Sequence, residues 1–242
     1  MNFKKILINI GKMVVLVFAG VVGVGLSLYN SFLIDERASK EGLFDNINAE
    51  TVNQLQMSKE NSDRNNVIIV NKENKLDRRY IPKCLVLPNI KIQGNCSLVS
   101  EEMVDDLELM FDAALKDGVN LIGVSGYRSF EYQEGLYSLA ESGNSSYDND
   151  YVAMPGYSEH QTGLAIDVLS DEYLVLDDGF KNTRAYEWLV NNCYKYGFII
   201  RYPEHKELIT GYPFEPWHLR YVGIAIATEI AKKGITLEEY VF

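Results

Sequence analysis

Two of the chain's three histidines fall in two short patterns. One is Ser158-Glu159-His160-Gln161-Thr162-Gly163-Leu164-Ala165-Ile166-Asp167, and the other is Glu215-Pro216-Trp217-His218. Together they offer His160, Asp167 and His218 as ligands for a metal ion. A second carboxylate, Glu215, stands three residues before the last imidazole. Three protein ligands with an open fourth position suit a catalytic zinc. A carboxylate that stays off the metal suits an attacking water, which must lose its proton. The combination points to a metallohydrolase rather than a binding module. A structural zinc site fits poorly, because only three ligands are evident and no cysteine joins them. The third histidine, His205, lies between Glu204 and Lys206 in a proline-containing stretch and reads as an exposed loop residue.

Ser125-Gly126-Tyr127-Arg128-Ser129 follows a strand-like run and opens a helical one. Arg128 therefore stands at a sheet edge, with its guanidinium free to bind a carbonyl oxygen or a carboxylate. In a hydrolase its work is to stabilise the tetrahedral oxyanion. Gln133, a helical turn further on, shares that face and suits a peptide group. Pro216 and Trp217 fix the geometry around Glu215, and Trp217 joins Arg128 and Gln133 as a substrate-binding candidate.

The elements that position these residues follow from apolar spacing. Val67-Ile68-Ile69-Val70 is expected to be a first strand, and Lys75 to Pro88 an irregular arm with two prolines. Residues 99–117 have helical periodicity, with Leu98, Met103, Leu107, Met110, Phe111, Ala114 and Leu115 on one face. Ser100, Glu101 and Glu102 suit its start and Gly118 its stop. Further strands are expected at Leu121–Ser125, Leu164–Val168, Phe198–Tyr202 and Trp217–Val222. Further helices are expected at Ser129–Leu139, residues 184–196 (Trp188 and Leu189 inward) and Ile224–Lys233, broken at Gly234. Gly143 to Gly156 reads as a loop. The irregular alternation, without repeats, predicts an α+β domain with a small antiparallel sheet and flanking helices rather than a doubly wound fold.

The rest of the chain bears on location. Residues 13–29 carry no charge, and extended back to Ile6 the run reaches the length of about 20 residues that spans a bilayer. Lys4, Lys5 and Lys12 precede or enter it, which keeps the N-terminus cytoplasmic. No clear Ala-x-Ala cleavage site follows, so an uncleaved anchor is expected over a cleaved signal peptide. The organisation is then a cytoplasmic tail (1–5), a transmembrane anchor (6–29), an extracellular polar stalk (30–64) and a catalytic domain (65–242). A net charge of -11 argues against nucleic acid, which requires clustered Lys and Arg. The hydrophobic fraction of 47% is that of a packed chain and excludes intrinsic disorder. Three cysteines make no disulfide framework: they read as small buried residues, with Cys84 and Cys96 within reach of each other along the chain.

Four ordered motifs carry a resemblance to a known family. They are Ser125-Gly-Tyr-Arg-Ser129 with Gln133, Pro155-Gly-Tyr-Ser-Glu-His-Gln-Thr-Gly-Leu-Ala-Ile-Asp167, Tyr196-Gly-Phe-Ile-Ile-Arg-Tyr-Pro203 and Glu215-Pro-Trp-His218. Over about residues 67–242 the chain resembles the VanY-type D-alanyl-D-alanine carboxypeptidases, zinc peptidases that share a fold with the dipeptidase VanX and the hedgehog signalling domain. The resemblance implies one Zn2+ held by His160, Asp167 and His218. It implies Glu215 as catalytic base, and Arg128 as the arginine that binds substrate and steadies the transition state. Gln133 and Ser158 match positions that contact the substrate backbone or its terminal carboxylate. The implied partner is a peptidoglycan stem peptide ending in D-alanine, met outside the cell at the membrane. L,D-carboxypeptidases share these motifs, so removal of D-alanine from a tetrapeptide stem is the alternative. A non-catalytic zinc domain that only binds wall peptide is the remaining one.

Overall fold

The computed structural model describes residues 67–143 and 151–242, with only the backbone at Asn95 and Cys96. The expected span over 6–29, the stalk over 30–64 and residues 144–150 of the expected loop lie outside the described residues. Among the described residues no helix is long and apolar enough to cross a membrane.

The strands are β1 (Leu85–Val86), β2 (Ile92–Cys96), β3 (Val99–Ser100), β4 (Leu121–Ser125), β5 (Ala165–Ser170), β6 (Phe198–Tyr202) and β7 (Glu215–Tyr221). The α-helices are α1 (Glu101–Lys116), α2 (Phe130–Glu141), α3 (Arg184–Asn192), α4 (Glu207–Thr210), α5 (Ile224–Lys233) and α6 (Leu237–Val241). This is an α+β fold. A five-stranded sheet runs β2-β4-β5-β7-β6, and β1 pairs with β3 in a two-stranded one.

The expected all-antiparallel sheet is corrected at one edge: β2 pairs with β4 in parallel. Between them the chain runs through β3 and α1, and a helical crossover returns it in the same direction, as a tight turn would not. Val67–Val70 forms no strand. Val70 is fully buried and Val67 packs against a small cluster around α5 and α6, so these apolar side chains are used for packing rather than in a ladder.

Helix α1 starts where the Ser100 side chain accepts the Glu102 N–H, with Glu101 and Glu102 in the first turn. Its buried positions are Met103, Leu107, Met110, Phe111 and Ala114. Leu98 and Leu115 are exposed, contrary to expectation. Leu98 precedes the cap, and Leu115 lies about 100° around the helix from Ala114. The inner face of α1 packs on Ile166 and Val168 of β5 and Trp217 and Leu219 of β7, with Trp188 and Leu189 of α3 completing the core. Helix α3 is shorter than predicted. A 3-10 turn, Cys193–Tyr196, follows it and ends at Gly197. Cys193 is buried as expected, and burial pushes its thiol up to about 12. Cys84 is exposed, contrary to expectation. The pairing of Cys84 with Cys96 lies outside the described side chains.

Register fixes which face serves the chemistry. Ile166 pairs with Leu219 and Asp167 with His218. Side chains alternate along a strand, so the first pair enters the core under α1 and the second projects from the opposite face.

Gly163 joins the 3-10 turn Glu159–Thr162 to β5 at φ 69°. A Cβ there would lie 3.1 Å from Pro82 Cγ and 3.2 Å from both Leu85 Cδ2 and Ser100 N. Both the left-handed backbone and the close approach demand glycine. Gly163→Ala should therefore lower stability by about 1–3 kcal/mol, read as a fall in the denaturant midpoint of the full chain at unchanged slope.

Candidate active site

Asp167 and His218 face each other across β5 and β7, with His218 Nδ1 3.1 Å from Asp167 Oδ1. His160 arrives from the 3-10 turn that precedes β5, and its Nε2 lies 3.3 Å from Asp167 Oδ2. The two imidazole rings meet edge to face at 4.9 Å. All three residues are buried, and one donor atom from each falls within 4.8 Å of the others. His160 Nδ1 is 2.7 Å from the Gly126 carbonyl, which only accepts, so the proton sits on Nδ1 and Nε2 keeps its lone pair. Among the described residues, His160 Nε2 and Asp167 Oδ1 have no hydrogen-bond partner. Two imidazoles and a carboxylate with buried, unspent donor atoms fit zinc.

Glu215 stands beside this set, with Oε2 3.5 Å from His218 Nδ1. Residues three apart on a regular strand point to opposite faces. Here a register shift intervenes: Ile200 pairs with Leu219 but Tyr202 with Glu215, which leaves extra residues on β7. Such an irregularity re-aims a side chain, and it brings Glu215 to the side of His218. Burial pushes the Glu215 carboxyl up to about 8, with Asp167 adding to the rise and His218 opposing it. Arg128 follows β4 just ahead of α2, whose cap is Ser129, and its backbone N–H donates to His160 O at 3.2 Å. Its Nε is buried and has no partner among the described residues, and its charge acts on both His160 and Glu215.

The electrostatics separate the histidines. Burial, helped by the Arg128 charge, moves His160 down to about 4. Burial opposes a charged His218 too, but Asp167 and Glu159 outweigh it and raise His218 to about 9. Burial alone would raise Asp167, yet His160 and His218 hold it well below the usual carboxylate range.

The structure gathers His160, Asp167, His218, Glu215 and Arg128. Gln133 is almost fully buried: its Nε2 donates to the Ala153 carbonyl at 2.7 Å, while Oε1 has no partner among the described residues. Ser158 is buried immediately before the 3-10 turn. Trp217 sits in the core, its ring 5.9 Å from that of Tyr151. His205 is exposed. Sequence reasoning assigned no role to Glu159, Arg201, Arg220 or Glu238, which form a buried ion network under His218. Their only sequence signal was the placing of Glu159 beside a ligand and of both arginines within apolar strands.

A His–Asp–His set with a carboxylate held beside it and an arginine facing it defines a mononuclear zinc hydrolase. Residues 97–224 match the family model VanY: D-alanyl-D-alanine carboxypeptidase. A D-alanyl-D-alanine carboxypeptidase of Enterococcus faecalis is 38% identical over 202 residues, covering 78% of this chain and 70% of that protein. The LdcB LD-carboxypeptidase, solved for its recognition of peptidoglycan, aligns at 43% identity and TM-score 0.67, covering 74% of this chain and 86% of its own. A vancomycin-resistance D,D-pentapeptidase VanY, a Glu-to-Ala variant complexed with Zn(II), aligns at 38% identity and TM-score 0.60, covering 72% and 98%. The chain belongs to the VanY family of zinc carboxypeptidases.

A raised His218 pKa means that, in protein stripped of metal, the imidazole keeps its proton below about pH 9. Zinc must displace that proton, because a ligand imidazole is neutral. Apparent zinc affinity is therefore expected to rise from pH 6 towards pH 9, by at most about tenfold per pH unit if one proton is displaced. Calorimetry in two buffers of different ionisation heat should record the proton released at pH 7.

Proposed function

We propose that the protein removes the C-terminal D-alanine from peptidoglycan stem peptides, outside the cell and from a membrane anchor. The observation that carries the reading is Glu215, buried 3.5 Å from His218 Nδ1, outside the ligand set and within the field of Arg128. Zinc, when bound, supplies a Lewis acid that brings the pKa of a water to about 7. Glu215 accepts the proton of the attacking water and passes it to the leaving amine of D-alanine. Burial raises the Glu215 carboxyl above the usual carboxylate range, which strengthens it as a proton acceptor. Arg128 turns its guanidinium to the peptide end and neutralises the developing oxyanion. Gln133, whose Nε2 holds the Ala153 carbonyl, and Ser158, immediately before the 3-10 turn, contact the substrate backbone or its terminal carboxylate.

The apolar run over residues 13–29, with Lys4, Lys5 and Lys12 on its N-terminal side, supports the anchor and the exported catalytic domain. Stem peptides are found on that side of the membrane. A second reading is L,D-carboxypeptidase action on a tetrapeptide stem. The likeness to LdcB at 43% identity favours it.

Mass spectrometry of products from defined pentapeptide and tetrapeptide stems separates the two. Loss of one D-alanine from the pentapeptide alone is expected; loss from the tetrapeptide alone would establish the second reading. Glu215→Ala should bind zinc normally and lose turnover by about 10²–10⁴-fold. Arg128→Ala should lose about 10²–10³-fold in kcat with zinc retained. Normal turnover by Glu215→Ala would sink the assignment of the base.

A further inference from the structure

The donor set accounts for one nitrogen of each histidine, and His218 has a second, buried one. Its Nδ1 faces Asp167 and Glu215; its Nε2 faces Glu159 Oε2 at 3.6 Å. Among the described residues, neither Nε2 of His218 nor Oε2 of Glu159 has a hydrogen-bond partner, and both are buried, so each is the other's counterpart. The remaining oxygen of Glu159 is fully engaged. Oε1 accepts from Arg201 Nε and from Arg220 Nη1, both at 2.7 Å. Arg201 in turn forms a two-pronged pair with Glu238 at 2.8 and 2.6 Å, and Asn71 Nδ2 donates to the same carboxylate. Arg220 Nη2 donates to the Ile68 carbonyl at 2.6 Å. The side chains of Glu159 and Arg201 are wholly buried. Two guanidinium groups and two carboxylates make the network neutral, and Glu159 is the member that turns towards the metal site.

We infer that Glu159 is a positioning residue for zinc: it holds the proton of His218 on Nε2 and thereby turns the Nδ1 lone pair towards the ion. A metal-ligating imidazole usually donates its other N–H to a carboxylate or carbonyl, which fixes its tautomer and raises its basicity. His160 uses the Gly126 carbonyl for this purpose, through Nδ1. The two ligands thus bind through opposite ring nitrogens, His160 through Nε2 and His218 through Nδ1. Arg201 and Arg220 pin Glu159 from behind, so its free oxygen has one direction left to point.

The inference rests on the zinc reading of the site. The first test needs no variant. In the zinc-loaded full chain labelled with 15N-histidine, three imidazoles give three assignable patterns. His218 should show a metallated Nδ1 and a downfield Nε2 proton that exchanges slowly with solvent, whereas the exposed His205 exchanges fast. His218 metallated through Nε2, or an Nε2 proton exchanging as fast as that of His205, would overturn the inference. The second test is competition of the full-length protein with a chromophoric zinc chelator. Glu159→Gln should weaken zinc binding by about 10–100-fold. Glu238→Gln breaks the same network away from His218 and should lower thermal stability with zinc affinity within about threefold of wild type. A folded Glu159→Gln that binds zinc like wild type refutes the role. So does a Glu238→Gln that loses zinc equally, since the effect would then belong to the fold. A wild-type chain that takes no zinc would instead be a failure of the zinc reading itself.

Discussion

The cross-strand pairing of Asp167 with His218 is the constraint on which the active site depends. One residue of slippage of β5 against β7 would turn Asp167 into the core, bring Ile166 out and leave His218 without its partner. What prevents slippage is the other face of the same strands. Ile166, Val168, Trp217 and Leu219 are locked under α1, and moving them into water would cost several buried side chains at about 1.5–3 kcal/mol each. The hydrophobic core and the metal set are thus two readings of a single register.

Around that pair the protein builds two electrostatic environments from similar groups. On the zinc side, burial leaves Glu215 reluctant to ionise, with His218 and a single arginine, Arg128, opposing the rise. Beneath His218, Glu159 meets two guanidinium groups that outweigh burial and keep it firmly ionised. Two carboxylates within reach of one imidazole therefore receive opposite protonation behaviour. A base and a fixed anion are obtained from the same side chain by the number of arginines that face it. Tyr202, whose ring lies 4.9 Å from that of His218, adds an apolar wall, which strengthens both effects.

Much of the site was legible because its residues are chemically unusual at their spacing. Two histidines, an aspartate and a glutamate in short ordered patterns have few readings. Helix α1 was legible from its period and its Ser100 cap. Other features depend on partners that are distant along the chain. Strand β2, Ile92-Gln-Gly-Asn-Cys, has little apolar alternation and exists because β4 offers an edge. Val67–Val70 has strand composition, but Val67 and Val70 are spent on packing outside the sheet. Arg201 and Arg220 carry little sign of their burial in the sequence; it follows from Glu159, 42 and 61 residues away. The register shift on β7 that redirects Glu215 is a property of the pairing with β6 and leaves no mark on composition.

The order of strands has a consequence for how the chain reaches this state. β7 lies between β5 and β6, although β6 precedes it in sequence. Until β7 inserts, one edge of β5 has no neighbour, and Ala165-Ile166-Asp167-Val168-Leu169 is among the most apolar strands of the domain. An open apolar edge invites pairing with a second molecule. Asp167 sits in the middle of that edge and carries its charge at neutral pH in the unfolded chain. It interrupts the run that would otherwise template aggregation, as gatekeeper residues do. The carboxylate that serves the metal in the finished enzyme thus guards the unfinished one against self-association.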